Sequence, residues 1–367
     1  MIYSYIPPEA ESTSYRPDEL LTFVIPIEQG KTLKKGSLFC AGSLEVSKTG
    51  GVVVEADKVL YDGNAGIHAF FKNISTTYTD IEGNDNLIEN VSYYNRFAKM
   101  YFEASRDYQN QCLSNFDTME LRTGVDAYTQ KVLYGQLDSA GNNSGVNTFA
   151  FAPLICCNRT MDDINGGRCS KVKIGLTLES LSVPLFTSDG SAKPAGLSWV
   201  LKDLKMHYVL EDAPVSNAPI QMMKTFNVKR DIVSSDSNFN YNPPGVINAF
   251  SASFLSSDTT SNDNQLATDT LKDLQRLEYT INGSDMFIRF PLLNESEIIL
   301  NYLSSLGNLK QSNAIYSNLT EKGFGVGLKL MSGVNMTNSK FSVNLQCGQG
   351  RTLNYGMYAY FQCMDSF

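Results

Sequence analysis

Apolar residues recur at every second position through long parts of this chain. Val172, Ile174, Leu176 and Leu178 alternate with Lys173, Gly175 and Thr177. Leu204, Met206, Tyr208 and Leu210 alternate with Lys205, His207 and Val209, and Phe341, Val343, Leu345 and Cys347 alternate with polar residues. Side chains on a strand point to opposite faces in turn, so each run is a strand with one buried face. Further strand runs are LTFVIP, ending at Pro26, then SLFCAGSLEV, GVVVEADKVLY, FAFAPLI, FNVKRDIV, VINAFSASFL, LQRLEYTING, MFIRFPL, Phe324 to Leu330, and YGMYAYFQCM. Polar loops such as SAGNNSGVN and SSDTTSNDNQ separate them, and no helical segments repeat between them. That excludes βαβ units. The spacing predicts an all-β chain of two consecutive jelly-roll β-sandwiches, each with roughly eight strands, and a few short helices in loops.

The 367 residues fit two such units. Residues 1–19 read as an extended N-terminal arm, because Pro7, Pro8 and Pro17 forbid helix there. Tyr3, Tyr5 and Ile6 would anchor it on a neighbouring subunit, or else it frays. The first sandwich is expected over 20–212 and the second over 220–367. Residues 213–219, holding Pro214 and Pro219 without periodicity, form the link.

One stretch departs from the pattern: Gly66 to Gln109. Ile67 to Tyr78 is aromatic and β-branched, which predicts a strand. Gly83, Asn84 and Asp85 predict a tight turn. Tyr94, Phe97, Ala98, Tyr101, Phe102 and Ser105 then fall at the spacing of one helical stripe. Tyr94, Phe97, Tyr101 and Phe102 are therefore the candidates for packing onto the sandwich or onto a neighbouring subunit. In the second half, Ile298 to Leu306 predicts a short helix, and Gly283-Ser284 a hairpin turn.

The formal charge of −8 argues against direct nucleic-acid binding. Seven cysteines, an odd number including the adjacent Cys156-Cys157 and lacking CxxC, do not form a secreted disulfide framework. Free thiols in a reducing compartment are expected. The opening MIYSYIPPEA lacks the basic and apolar regions of a signal peptide, and no run of eighteen apolar residues occurs.

A search for chemistry finds little. Only His68 and His207 are present, too few for a multi-histidine metal site; the first reads as packed in its strand and the second as exposed. GFGVG at 323–327 lies within an alternating strand and lacks the helix that a phosphate loop requires. Cys156, Cys157 and Cys169 lack a well-spaced fourth metal ligand. The pairs Asp162-Asp163 and Asp57 with Asp62 have no feature that selects them for acid–base work. No catalytic residue, cofactor site or metal site is expected, and a structural or binding role follows.

Two patches carry a resemblance. Ala69, Phe70 and Phe71 are followed by Tyr93, Tyr94, Asn95, Arg96 and Phe97, with Asn95 where a proline is common. Lys224 to Val228, Val246 to Leu255 and Leu277 to Phe290, with Asn282-Gly283 at a turn, form the second patch. Together they resemble the double jelly-roll major capsid proteins of the tailless-phage–adenovirus lineage, particularly those of Polinton- and adintovirus-like elements. The resemblance implies a homotrimeric, pseudo-hexagonal capsomer of an icosahedral virion, assembled in host cytoplasm or nucleus. It also implies penton or minor capsid proteins as partners, and in some cases an internal membrane. A penton or minor capsid protein is the alternative within the same class. Outside it stand a carboxylate-dependent glycan-acting enzyme and a carbohydrate-binding module.

Overall fold

The alternating runs become strands that bury one face. In a computed structural model, which describes residues 2–53, 55–62, 65–105, 130–132, 146–159, 162–187, 189–271, 274–283, 294–306, 324–348 and 353–367, they pair into five antiparallel sheets. The first half holds, in chain order, β1 (Ile2–Ile6), β2 (Ser14–Tyr15), β3 (Leu20–Pro26), β4 (Lys31–Leu33), β5 (Phe39–Lys48), β6 (Gly51–Val52) and β7 (Val59–Asp62). Then come β8 (Phe71–Asp80), β9 (Asp85–Ser92), β10 (Gln130–Val132), β11 (Val146–Phe151), β12 (Ile164–Asn165), β13 (Cys169–Leu178), β14 (Leu185–Thr187) and β15 (Ser198–Asp212). Its larger sheet runs β11-β5-β15-β4-β12, with β1 and β2 also on β15. The facing sheet runs β3-β13-β8-β9. Ile174, Leu176, Phe23 and Leu21 from one sheet and Leu201, Met206 and Leu44 from the other bury their side chains. Phe70 meets Trp199 edge-on at 5.0 Å.

The second half holds β16 (Gln221–Ile232), β17 (Asp236–Tyr241), β18 (Val246–Ser256), β19 (Leu274–Ile281), β20 (Val326–Asn335), β21 (Phe341–Cys347) and β22 (Tyr355–Ser366). They pair as β16-β22-β18-β20 and β17-β21-β19. Phe250 centres this core, with its ring 5.1 Å from Phe361 and 5.4 Å from Phe341. Among the described residues, no strand before residue 213 pairs with one after residue 220. Among the described residues are three α-helices: α1 (Tyr94–Ser105), α2 (Cys156–Arg159) and α3 (Glu295–Ser305). The side chain of Asn294 caps α3 by accepting from the Glu297 N–H at 2.8 Å.

Three sequence expectations need correction. Residues 2–6 and 14–15 do not form a free arm: β1 and β2 pair with β15 of the same chain and Tyr15 is buried. Pro7 and Pro8 interrupt the strand because neither offers a backbone donor. The strand predicted from Ile67 begins only at Phe71, since Gly66–Phe70 is a 3-10 helix. Its five residues are buried all round, and Asp62 accepts from the Ala65 N–H at 3.0 Å just before it. The run GVVVEADKVLY is two short strands, β6 and β7, split by a 3-10 turn at Glu55–Asp57, where Lys48 holds the Asp57 carboxylate at 2.6 Å.

The turn before β9 forms as expected: Gly83 has a φ of 93°, and the Asp80 carboxylate accepts from the Glu82 and Asn84 N–H groups. Asn282 and Gly283 both have positive φ, so the left-handed pair starts one residue before Gly283-Ser284. Ser284, the MFIRFPL strand and all of SAGNNSGVN except its last two residues lie outside the described residues.

Candidate assembly surfaces

The helix that interrupts the strand pattern sits where the two sandwiches meet. The amphipathic stripe of α1 has two jobs. On one side Tyr94 enters the first sandwich, where its hydroxyl bonds His68 Nδ1 at 2.7 Å and accepts from the Leu154 N–H at 3.0 Å. On the other, Phe97 lies 5.2 Å from the ring of Tyr360 in β22. Tyr93, just before α1, meets Tyr358 edge-on at 5.0 Å and accepts from the Tyr360 hydroxyl at 2.8 Å through its carbonyl. Arg96 lies 4.2 Å above the Tyr358 ring and donates to the Gln265 carbonyl. Burial pulls the Arg96 guanidinium below its ordinary value. Tyr94 and Phe97 are thus fully buried inside the chain, whereas Tyr101 and Phe102 are half-buried. Asn95 donates to the Glu179 carboxylate at 2.8 Å and ties the start of α1 to the end of β13.

A polar cluster continues the seam. The buried Glu89 carboxylate of β9 accepts from the N–H of Cys156 and of Thr225, both at 2.6 Å, and from Arg159 at 3.1 Å. Arg159 also donates to the Thr225 hydroxyl at 2.5 Å. Asn227 of β16 forms two bonds with the backbone of Ser92, accepting at 3.0 Å and donating at 2.9 Å. Its side-chain amide therefore does what a neighbouring strand would do. Asn264 donates to Asp62 at 2.8 Å, and Asp162 accepts from the Gln221 N–H at 3.1 Å.

These contacts account for the acidic residues considered as catalytic pairs. Asp62 and Asp162 bind across the seam, Asp57 pairs with Lys48, and Asp163 pairs with Lys34 at 2.6 Å. His68 is buried between the rings of Phe102 and Phe151, each 4.8 Å away. His207 lies on the outer face of β15, stacked on Phe39 at 4.6 Å with the ring planes 3° apart. Its position beside Tyr3 and Tyr5 makes it part of an aromatic cluster, which its place on an alternating strand does not reveal.

The six described cysteines are free and buried. Tyr78 lies 3.6 Å from the Cys157 sulfur and 4.0 Å from that of Cys156. Burial pushes the thiols of Cys169 and Cys363 up to about 12 and raises that of Cys156. Among the described residues, no group of three His, Cys, Asp or Glu is arranged to hold a metal ion. No described helix is long and apolar enough to cross a membrane.

No family model matches the sequence, and no curated protein matches it. Solved structures do resemble the fold. The Faustovirus major capsid protein aligns with a TM-score of 0.63 at 9% identity, covering 100% of this chain and 90% of that one. VP54 of the virus PBCV-1 aligns at 0.58 and 10% identity, covering 100% and 94%. The mavirus major capsid protein aligns at 0.54 and 11% identity, covering 100% and 90%. The chain is a double jelly roll. The agreement spans the whole length, so both sequential sandwiches belong to the shared fold. At such low identity the double jelly roll itself is what is common.

Proposed function

We propose that this double jelly roll is the major capsid protein of an icosahedral virus, with three copies closing into a pseudo-hexagonal capsomer. The observation that carries this reading is the end-to-end match to several major capsid proteins, with both sandwiches included. The physical character of the chain supports it. The acidic residues weighed as catalytic pairs, Asp57, Asp62, Asp162 and Asp163, serve instead in ion pairs and across the seam, which supports a structural role. With a charge of −8, it would form a shell without contacting the genome directly. Capsomer–capsomer contacts, penton or minor capsid proteins, and an internal membrane would complete its surroundings in the virion. Of the helical stripe, Tyr101 and Phe102 are half-buried and keep part of their surface for subunit packing, although Phe102 also packs on His68 within the chain, whereas Tyr94 and Phe97 are wholly buried. Light scattering of the purified protein, followed by electron microscopy, tests the proposal. Trimers with a hexagonal outline support it, and a monomer at every concentration refutes it.

A further inference from the structure

The strand order of the first sandwich returns in the second. The sheet order β3-β13-β8 has its counterpart in β17-β21-β19, and β17 takes the place of β3 at the edge. The chain treats these two edges differently. Along β3 it lays a segment of its own, in which the Glu9 N–H donates to the Thr22 carbonyl at 2.8 Å. The buried Tyr15 pins that segment: its hydroxyl donates to the Ala10 carbonyl at 3.0 Å and accepts from the Ser12 N–H at 3.3 Å. Residues 7–19 join β1 to β3, whereas only residues 233–235 join β16 to β17. The shorter connection has no length to spare for such a cover.

Among the described residues β17 pairs with β21 alone, and its outer row of backbone groups bonds no other backbone. Its sequence, DSNFNY, contains neither lysine nor proline, and no bulge breaks its register with β21. Those are devices by which an edge normally resists pairing with another chain. The surroundings also select the kind of chain. Asn238 and Asn240 are exposed along the strand. The seam shows what such an amide does beside an extended backbone, since Asn227 binds both the N–H and the carbonyl of Ser92. Val233, 70% exposed, stands just before β17. Arg230 is exposed and lies 6.0 Å from the ring of Tyr241 at the end of β17; among the described residues no carboxylate pairs with it.

We propose that the β17 edge receives an extended segment of a second, different protein, added as a further strand and carrying an acidic residue that pairs with Arg230. In strand addition the main-chain hydrogen bonds supply affinity and the side-chain contacts supply selectivity. The acidic residue sits at the Tyr241 end, away from the Asp236 carboxylate, and an apolar residue meets Val233. The partner thus gives β17 the cover that Glu9 and its neighbours give β3. None of this depends on the capsid reading.

The test uses the full chain and two fluorescently labelled peptides, Glu-Thr-Val-Thr-Val-Thr and its reverse, so that both strand directions are offered. Anisotropy should show saturable binding of one of them. Exchanging its glutamate for lysine, or substituting Arg230→Glu in the protein, should each weaken binding about tenfold, as for the loss of one charge-assisted hydrogen bond. Methylating alternate peptide nitrogens should abolish binding in one of the two frames. Hydrogen exchange read by mass spectrometry should slow at residues 236–241 when the peptide is present. The inference is overturned if neither peptide binds saturably, if binding ignores the charge, or if exchange at 236–241 does not change. Protection of 236–241 in the assembled protein without peptide overturns it too, because the occupant is then another copy. None of these results alters the trimer mass on which the capsid reading stands or falls, so the two fail separately.

Discussion

Replacing Glu89 by Gln removes a charge from the seam while keeping the side-chain volume. Glu89 accepts three hydrogen bonds, two of them from backbone N–H groups at 2.6 Å, and one partner lies in the second sandwich. A glutamine presents one oxygen to these donors and turns its NH2 group toward another donor, so at least one buried group loses its partner. Removing one member of a buried ion pair costs about 3–5 kcal/mol. Arg159 retains its bond to Thr225, and its side chain keeps 13% of its exposure, which places the loss near the lower end, at about 3 kcal/mol. Urea unfolding followed by circular dichroism and by fluorescence measures it. Trp199, the single tryptophan, sits in the first sandwich and reports on that half. The midpoint should fall by roughly 1 M, taking a slope at the upper end of about 1–3 kcal/mol per molar urea. The two signals should also separate as the sandwiches uncouple. A loss under about 1 kcal/mol with coincident signals would refute the view that Glu89 clasps the two halves. The apolar pair Glu89→Leu/Arg159→Met should recover much of the stability, because it strands no charge.

Other expectations are equally direct. Phe97→Ala should cost about 3–5 kcal/mol in the same assay, as expected for a fully buried ring, and Phe97→Asp should leave too little soluble folded protein to form trimers; a normal trimer from the aspartate variant would show that the stripe is not buried. Thiol titration near pH 8 should label few of the seven cysteines in the native protein and all of them in denaturant, since the six described thiols are buried; full native labelling would contradict this packing. Acid should destabilise the protein through the turn and strand at 80–85. Asn84 holds the Asp80 carboxyl below its ordinary value, and Lys173 and Thr79 do so for Asp85. Each folded value lies below the unfolded one, so the stabilisation is complete above about pH 4 and is lost as pH falls through the lower folded values. Asp85→Asn should lessen that dependence in urea midpoints taken between about pH 5 and pH 2, and an unchanged slope would count against it.

The strands that the sequence reveals most clearly are those with one wet face. β21 spans the Phe341–Cys347 run, and α1 spans the stripe from Tyr94 to Ser105. Pattern fails where the environment is uniform. Most of β22 is buried on both faces because the first sandwich covers it, so YGMYAYF shows no alternation. The 3-10 helix at 66–70 is likewise buried all round. For β1, the two prolines that follow suggested an arm, while the partner that makes it a strand lies some two hundred residues away on β15. Glu89 could not be singled out among thirty-eight acidic residues, because its partners are 67, 70 and 136 positions distant. The seam is a product of tertiary contact, and only its aromatic part left a local mark.

The central claim is best tested by the mass and outline of the purified protein. Size-exclusion chromatography with light scattering should give three times the 40.6 kDa chain mass, and electron microscopy should show particles with six sandwich-sized lobes. A stable monomer of 40.6 kDa that does not associate as its concentration rises would contradict the account.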